Sequence, residues 1–338
     1  MSEKLTHYYS AQNLLHRLDA KSPLGIAVDA HPDAFYLGAE GPDFFFFDLI
    51  PTPGHPSRMK YGSLIHSHDV DAFFYQGLLY TLNLQEPFER DTCLAYLMGF
   101  SMHHELDAKT HPYIYYHTGQ YQHDRDTRVF AYIHTYFEVL LDTAYLQYER
   151  NELATDFNFK RLFRISDEEG TILGQMMAHI FAFVFNKPLK IFEFKRACKA
   201  AHLAANMTSD PTNRKRSVLR KFEKLIHQEL IISRECYPPY TNEPVVLNMD
   251  HHPWRHPVTG ETFTTTYIDL FNDAVDMAEK DASFIAEAIK DPDALTLEGV
   301  HSVYGNRSYL TDLDLNQDQT MTHFDIIFLK HPSLLKGF

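Results

Sequence analysis

Two stretches of the chain set polar groups at four-residue spacing into otherwise apolar helical patterns. In TCLAYLMGFSMHHELDAKTHP, residues 92–112, Leu94, Leu97, Met98 and Phe100 supply an apolar face, and His103, Asp107 and His111 recur every fourth position. In TRVFAYIHTYFEVLLDTAYL, residues 127–146, Phe130, Ile133, Phe137 and Leu141 are the apolar positions, and His134, Glu138 and Asp142 keep the same spacing. Residues four apart on a helix lie one above the other, so each run aims its polar groups from one face. Pro112 is expected to end the first helix, which leaves His111 at its terminus.

The remaining pattern is also mostly helical. Residues 5–19 predict an N-terminal helix packed through Leu14, Leu15 and Leu18, with His7 in its first turn. Residues 30–61 carry Gly38, Gly41, Pro42, Pro51, Pro53, Gly54 and Pro56 and predict a structured loop, in which Asp43 precedes four phenylalanines. Burial against Phe44–Phe47 would raise the pKa of Asp43 unless a cation offsets it. A helix is expected from about Ser63, offering His66 and His68, of which at most one can face a given site.

Residues 171–185, 194–205 and 214–233 read as packing helices, with Arg214, Lys215 and Arg216 on a solvated face. Residues 235–266 read as loop, and 267–290 as an amphipathic helix buried through Phe271, Val275 and Ile285. Short strands are expected only near residues 244–248 and 324–329. The fold class is therefore all-α.

Composition narrows this picture. Hydrophobic residues make up 44% of the 338, with 20 Tyr and 26 Phe, which excludes a disordered chain and supplies a thick aromatic core. A formal charge of −14 argues against general nucleic-acid binding, which draws its affinity from Lys and Arg on phosphates. Bound cations would invert the local field, so a phosphate-ester substrate stays open. Cys93, Cys198 and Cys236 are too few for a disulfide framework or a cysteine-rich zinc site. With no leader-like N-terminus and no apolar run of about 18 residues, a reduced cytoplasmic protein without a membrane span is expected.

Carboxylates and imidazoles bordering an apolar face are costly to bury unless they pair or hold a cation. Two helices that present such groups to each other point to a two-metal site. Asp142, one turn beyond Glu138, reads as support behind the ligands.

The ordered set THYYSAQNLL, GPDFFFFD, GSLIH, GFSMHHELDAKTHPYIYYH, HTYFE and LNMDHHPW resembles the zinc-dependent phospholipase C family, which shares an architecture with the P1-type nucleases. The resemblance spans roughly residues 5–290. It implies a helical metallohydrolase domain over residues 1–290, with 291–338 as a C-terminal extension packing on that core. It further implies a cleft with two or three zinc ions. Carried across residue by residue, one metal would take Asp43, His66, His103 and Asp107. A second would take His111, His134 and Glu138, and a third would take His7 with Asp107 as the bridging carboxylate. The secreted members instead use a processed terminal amine at the third metal, and their spacing between the residues matching Asp107 and His111 is longer.

Nitrogen and oxygen donors suit Zn²⁺, with Mn²⁺ or Fe²⁺ also accommodated. Two such ions about 4 Å apart polarise a phosphoryl group and acidify a water, and Asp43 would orient that water or act as general base. The expected activity is hydrolysis of phosphoric esters, on a phosphodiester or phospholipid-like substrate. Two alternatives compete with it. One is an HD-type phosphohydrolase built on His68 and Asp69; the other is a non-catalytic metal-binding protein.

Overall fold

One long helix carries the architecture. The computed structural model describes residues 4–48, 58–122, 127–225 and 233–336. In it, α6 (Pro87–Thr118) runs for 32 residues, opens with proline at its first position and ends at Gly119, whose φ is 76°. It is buried on nearly every side, so its apolar residues are spread around the axis and not gathered on one stripe. The helix also continues through Pro112, which corrects the expected stop. Proline there forfeits one backbone hydrogen bond, and the burial of Ala108, His111, Pro112 and Tyr113 outweighs that loss.

Around α6 stand α1 (Lys4–Arg17), α2 (Pro23–Ala30), α3 (Pro32–Ala39), α5 (Val70–Leu82), α7 (Arg128–Tyr145), α8 (Asp167–Phe183) and α12 (Tyr267–Lys290). The short α14 (Ile327–Lys330) also touches α6, and outside this ring lie α4 (Met59–Ser67), α9 (Ile191–Thr208), α10 (Arg214–Leu225), α11 (Glu243–Val246), α13 (Leu297–Tyr304) and α15 (Ser333–Lys336). The fold is all-α. Among the described residues the only sheet is the antiparallel pair Trp254–Arg255 and Thr262–Phe263. The segments expected as strands are instead the short helices α11 and α14. No helix among the described residues is long and apolar enough to cross a membrane.

Several expected boundaries change for identifiable reasons. Residues 30–48 are helical: Pro32 sits at the first position of α3, and Gly41–Phe47 forms a 3₁₀ helix. Proline starts these elements, since its missing N–H would be unpaired there in any case. The helix expected from Ser63 is two helices, because His68 is extended and Asp69 adopts a left-handed φ of 51°. Arg216 is buried and donates to the Tyr136 hydroxyl at 2.9 Å, so the basic run is not wholly solvated. Residues 49–57 of the expected loop and 226–232 of the expected helix lie outside the described residues. By contrast, α12 spans the expected residues 267–290, opened by a reciprocal Thr266–Asp269 capping box.

The core forms two apolar clusters that share α6. Its residues up to Leu106 pack into the first, and Tyr113 and Ile114 pack into the second with α7, Trp254 and Tyr267. The polar stretch His103–His111 lies at the seam. The tightest approach in the ring is between α3 and α6, where a Cβ on Gly99 would sit 2.0 Å from the Phe35 carbonyl oxygen and one on Gly38 would sit 2.1 Å from that of Tyr96. Both obstacles are backbone, which cannot swing aside. Gly99→Ala should therefore destabilise the protein by about 3 kcal/mol or more. Gly170→Ala, where the added methyl meets nothing nearer than 3.5 Å, should be neutral or stabilising. Denaturant midpoints of the two variants against the parent check this; equal midpoints would contradict the close α3–α6 packing.

Candidate metal centre

The site is assembled from five elements. α1 brings His7, the 3₁₀ helix brings Asp43, α4 brings His66, α6 brings His103, Asp107 and His111, and α7 brings His134 and Glu138. Asp107 lies at the centre. Its Oδ1 is 3.2 Å from His7 Nε2 and 3.6 Å from His111 Nδ1, and its Oδ2 is 3.3 Å from His103 Nε2 and 3.5 Å from His66 Nε2. His66 Nε2 also stands 3.4 Å from Asp43 Oδ1. One turn beyond Asp107 on α6, His111 Nε2 lies 3.7 Å from Glu138 Oε1 of α7, which is itself 3.2 Å from His134 Nε2.

All eight residues expected at the site converge in this way. They fall into three groups whose donor atoms lie within 4.8 Å of one another: His7, His103 and Asp107; Asp43, His66 and His103; and His111, His134 and Glu138. His103 and His111 share a helix face yet serve different groups, because eight residues of helix rise about 12 Å. The first two groups share His103, whose single inward nitrogen can serve one ion. With His103 committed to the Asp43–His66 group, a third ion would keep only His7 and Asp107 from the protein.

Backbone carbonyls fix the imidazoles. Nδ1 of His66 lies 2.8 Å from Gly62 O, that of His103 3.2 Å from Ala39 O, and that of His111 3.1 Å from Asp107 O. A carbonyl only accepts, so each Nδ1 must carry a proton, and each Nε2, in the neutral ring, presents a lone pair inward. At His134 the same service comes from Thr118 Oγ1, 3.3 Å from Nδ1 and itself donating to Ile114 O. This is how metal-binding histidines are held. His103 also needs Gly41 beside it: a Cβ there would fall 2.1 Å from the ring, and the φ of 53° already favours glycine.

The electrostatics agree. Asp43, Asp107 and Glu138 are buried, and burial alone would raise all three. The surrounding histidines instead hold Asp107 well below the usual carboxylate range; Asp43 and Glu138 are lowered as well, with the histidines beside them contributing, so the rise considered for Asp43 without compensation does not occur. Burial opposes charge on His66, but Asp107 and Asp43 more than offset it and carry its pKa up to about 9. Three buried carboxylates among five imidazoles call for cations, and no described residue lining the adjoining cleft is Lys or Arg. The donor set fits divalent ions bound by nitrogen and oxygen; it does not specify which metal.

Asp142 supports the site from behind, as its spacing suggested. It accepts from the backbone N–H of Leu5 and Thr6, the Thr6 hydroxyl and the Tyr237 hydroxyl, which anchors the start of α1 and with it His7. Burial pushes its pKa up to about 6 against the pull of these donors. His68 and Asp69 are exposed and stand apart from the three groups. His117 is half-buried against Tyr113, Tyr116 and Phe137 and takes no part in them, and His123 lies outside the described residues.

A cleft of about 430 Å³ opens onto Asp43, His66, His111 and His134, walled by Phe46, Tyr115, Tyr121, Phe130 and Leu310. Sequence reasoning passed over Tyr115, although it lies four residues after His111 and so on the same helix face. No family model, curated protein or solved structure matches the chain. Its chemistry is therefore read from the site itself.

Two outcomes follow. Protein purified without added metal should carry at least two transition-metal ions per chain, one for each group with three donors of its own, and a chelator should lower its melting temperature. No metal by elemental analysis, with melting indifferent to chelator and to zinc, would remove the site. Any third ion should leave first under mild chelation, and His7→Ala should abolish that labile fraction alone. An unchanged chelation profile in His7→Ala would make His7 a packing residue.

Proposed function

We propose that the protein is a metal-dependent hydrolase of phosphoric esters. The observation that supports this most is the opening of two donor groups onto one cleft: Asp43 and His66 from one, His111 and His134 from the other. A purely structural metal site would be closed. The ordered motifs that resemble the zinc-dependent phospholipase C family point to the same reaction class. Zinc is the metal best suited to these donors, with Mn²⁺ or Fe²⁺ as substitutes.

When bound, such ions supply Lewis acidity to a phosphoryl oxygen and lower the pKa of a water. The chain's own residues do the rest. Asp43, ionised well below neutral pH, accepts a hydrogen bond from the attacking water and orients it; an acid so depressed is a weak base, so orientation is its main contribution. Phe46, Tyr115, Tyr121 and Phe130 give the cleft an apolar wall suited to the organic part of the ester, and Ser63, Ser67, Gln120 and Thr135 add neutral polar groups. A phosphodiester or phospholipid-like substrate fits this lining.

The test is turnover of a chromogenic phosphodiester by the zinc-loaded protein. Asp43→Asn should lower kcat roughly a hundredfold or more while the His111–His134–Glu138 group keeps its ion. His134→Ala should lose that ion and activity together. A metal-loaded parent that leaves the ester intact would be a metal-binding protein without this activity, and an Asp43→Asn variant as fast as the parent would remove Asp43 from the chemistry.

A further inference from the structure

The segment after α13 reaches the metal centre, and nothing in the eight-residue donor set accounts for it. Arg307 pairs with the buried Glu105 of α6 and holds Asp312 at 2.7 Å. Asp312 in turn takes Lys109 of α6 at 2.6 Å. His104 Nε2 lies 3.1 Å from the Arg307 carbonyl. The loop between these anchors closes on itself, with Ser308 N–H donating to Leu313 O at 2.8 Å and Asp312 N–H to Ser308 O at 3.0 Å. Glu105 and Lys109 are four apart on α6, interleaved with His103 and Asp107. One helix therefore holds the donors on one face and the clamp on the next.

The clamp delivers Tyr309. Its fully buried ring meets His66 edge-on at a centroid distance of 4.9 Å and His103 at 5.9 Å, with His104 behind it at 4.7 Å. Each of those two donor imidazoles is tethered through one Nδ1 bond, which leaves rotation about that bond to be stopped by packing. His103 is also stacked by His7 at 4.3 Å, and His66 has Phe46 at 5.6 Å. Among the described residues Tyr309 has ring contacts with both imidazoles of the Asp43–His66–His103 group, and none with His111 or His134.

We infer that Tyr309 is a positioning residue of the metal centre, clamped by Arg307 so that its ring fixes the planes of the His66 and His103 imidazoles. This rests on the metal reading above. A residue of the core alone would affect overall stability; a positioning residue affects one metal and spares the other.

The experiment titrates the metal-free full chain with zinc against a chromogenic chelator, and with Co²⁺ by its visible absorption. Tyr309→Leu should weaken one of the two tight ions roughly tenfold or more and alter its cobalt spectrum, leaving the other ion unchanged. Tyr309→Phe keeps the ring and should bind as the parent does. Should Tyr309→Leu fail to fold by its thermal melt, Tyr309→Met, whose unbranched side chain adapts to an irregular gap, takes its place. Unchanged affinity, equal weakening of both ions, or a Tyr309→Phe variant as weak as Tyr309→Leu would each overturn the inference while the metal reading stands. A parent that takes up no metal would overturn the metal reading, and this inference with it.

Discussion

Asp107 is a carboxylate buried within the central helix, with four imidazoles around its two oxygens. That constraint organises the chain. Burial by itself would neutralise the group, so the fold must supply partners that keep it charged. They come from α1, from α4 and from the turns of α6 on either side. The N-terminus, a short surface helix and the core helix are tied together through one side chain. Removing its partners would leave an uncompensated buried charge, which costs more than most packing defects. Stability and the candidate chemistry therefore meet at the same atoms.

The means of orienting the imidazoles is conservative. Gly62, Ala39 and Asp107 contribute main-chain oxygens, which move only if their elements move. The glycine contacts of α3 with α6 then acquire a second role. They set the height of Ala39 over His103 as well as the packing of the ring. Gly41 continues the same line, giving the chain the turn that places Asp43 and the space that His103 occupies. A site built in this way is preorganised by the fold and needs few dedicated side chains behind the donors.

The four-residue spacing in α6 and α7 carried most of the site, because a helix converts that spacing into one face whatever surrounds it. The same rule flagged Asp142, which lies two turns beyond His134 and so reaches the start of α1 and not the metal donors. What stayed hidden depended on tertiary contact. Pro112 reads locally as a stop, and only burial on all sides carries the helix through it. The break at His68–Asp69 rests on a left-handed backbone that no periodicity announces. Arg216 belongs to a basic run in sequence and to a buried hydrogen bond in space. Arg307 and Tyr309 meet α6 across some two hundred residues of chain, within a loop that has no repeating pattern to read.

The field of the whole protein adds one more step to the functional reading. The chain carries a net −14, and the described lining of the cleft offers His66, His111, His134 and Asp43 but neither Lys nor Arg. An anionic ester approaching the metal-free protein meets repulsion at long range and, at short range, no cation except a His66 imidazolium already paired with Asp43 and Asp107. Divalent ions at the donor groups reverse the local sign without changing the outer field. Under the proposed function substrate affinity would come chiefly from the metals themselves, so metal loading would govern binding as well as catalysis. The persisting outer field weighs more heavily on a polyanion than on an ester with a single charge. On this reading the small phosphodiester or lipid-like ester is favoured over a nucleic-acid strand by charge alone, before any contact with the aromatic wall.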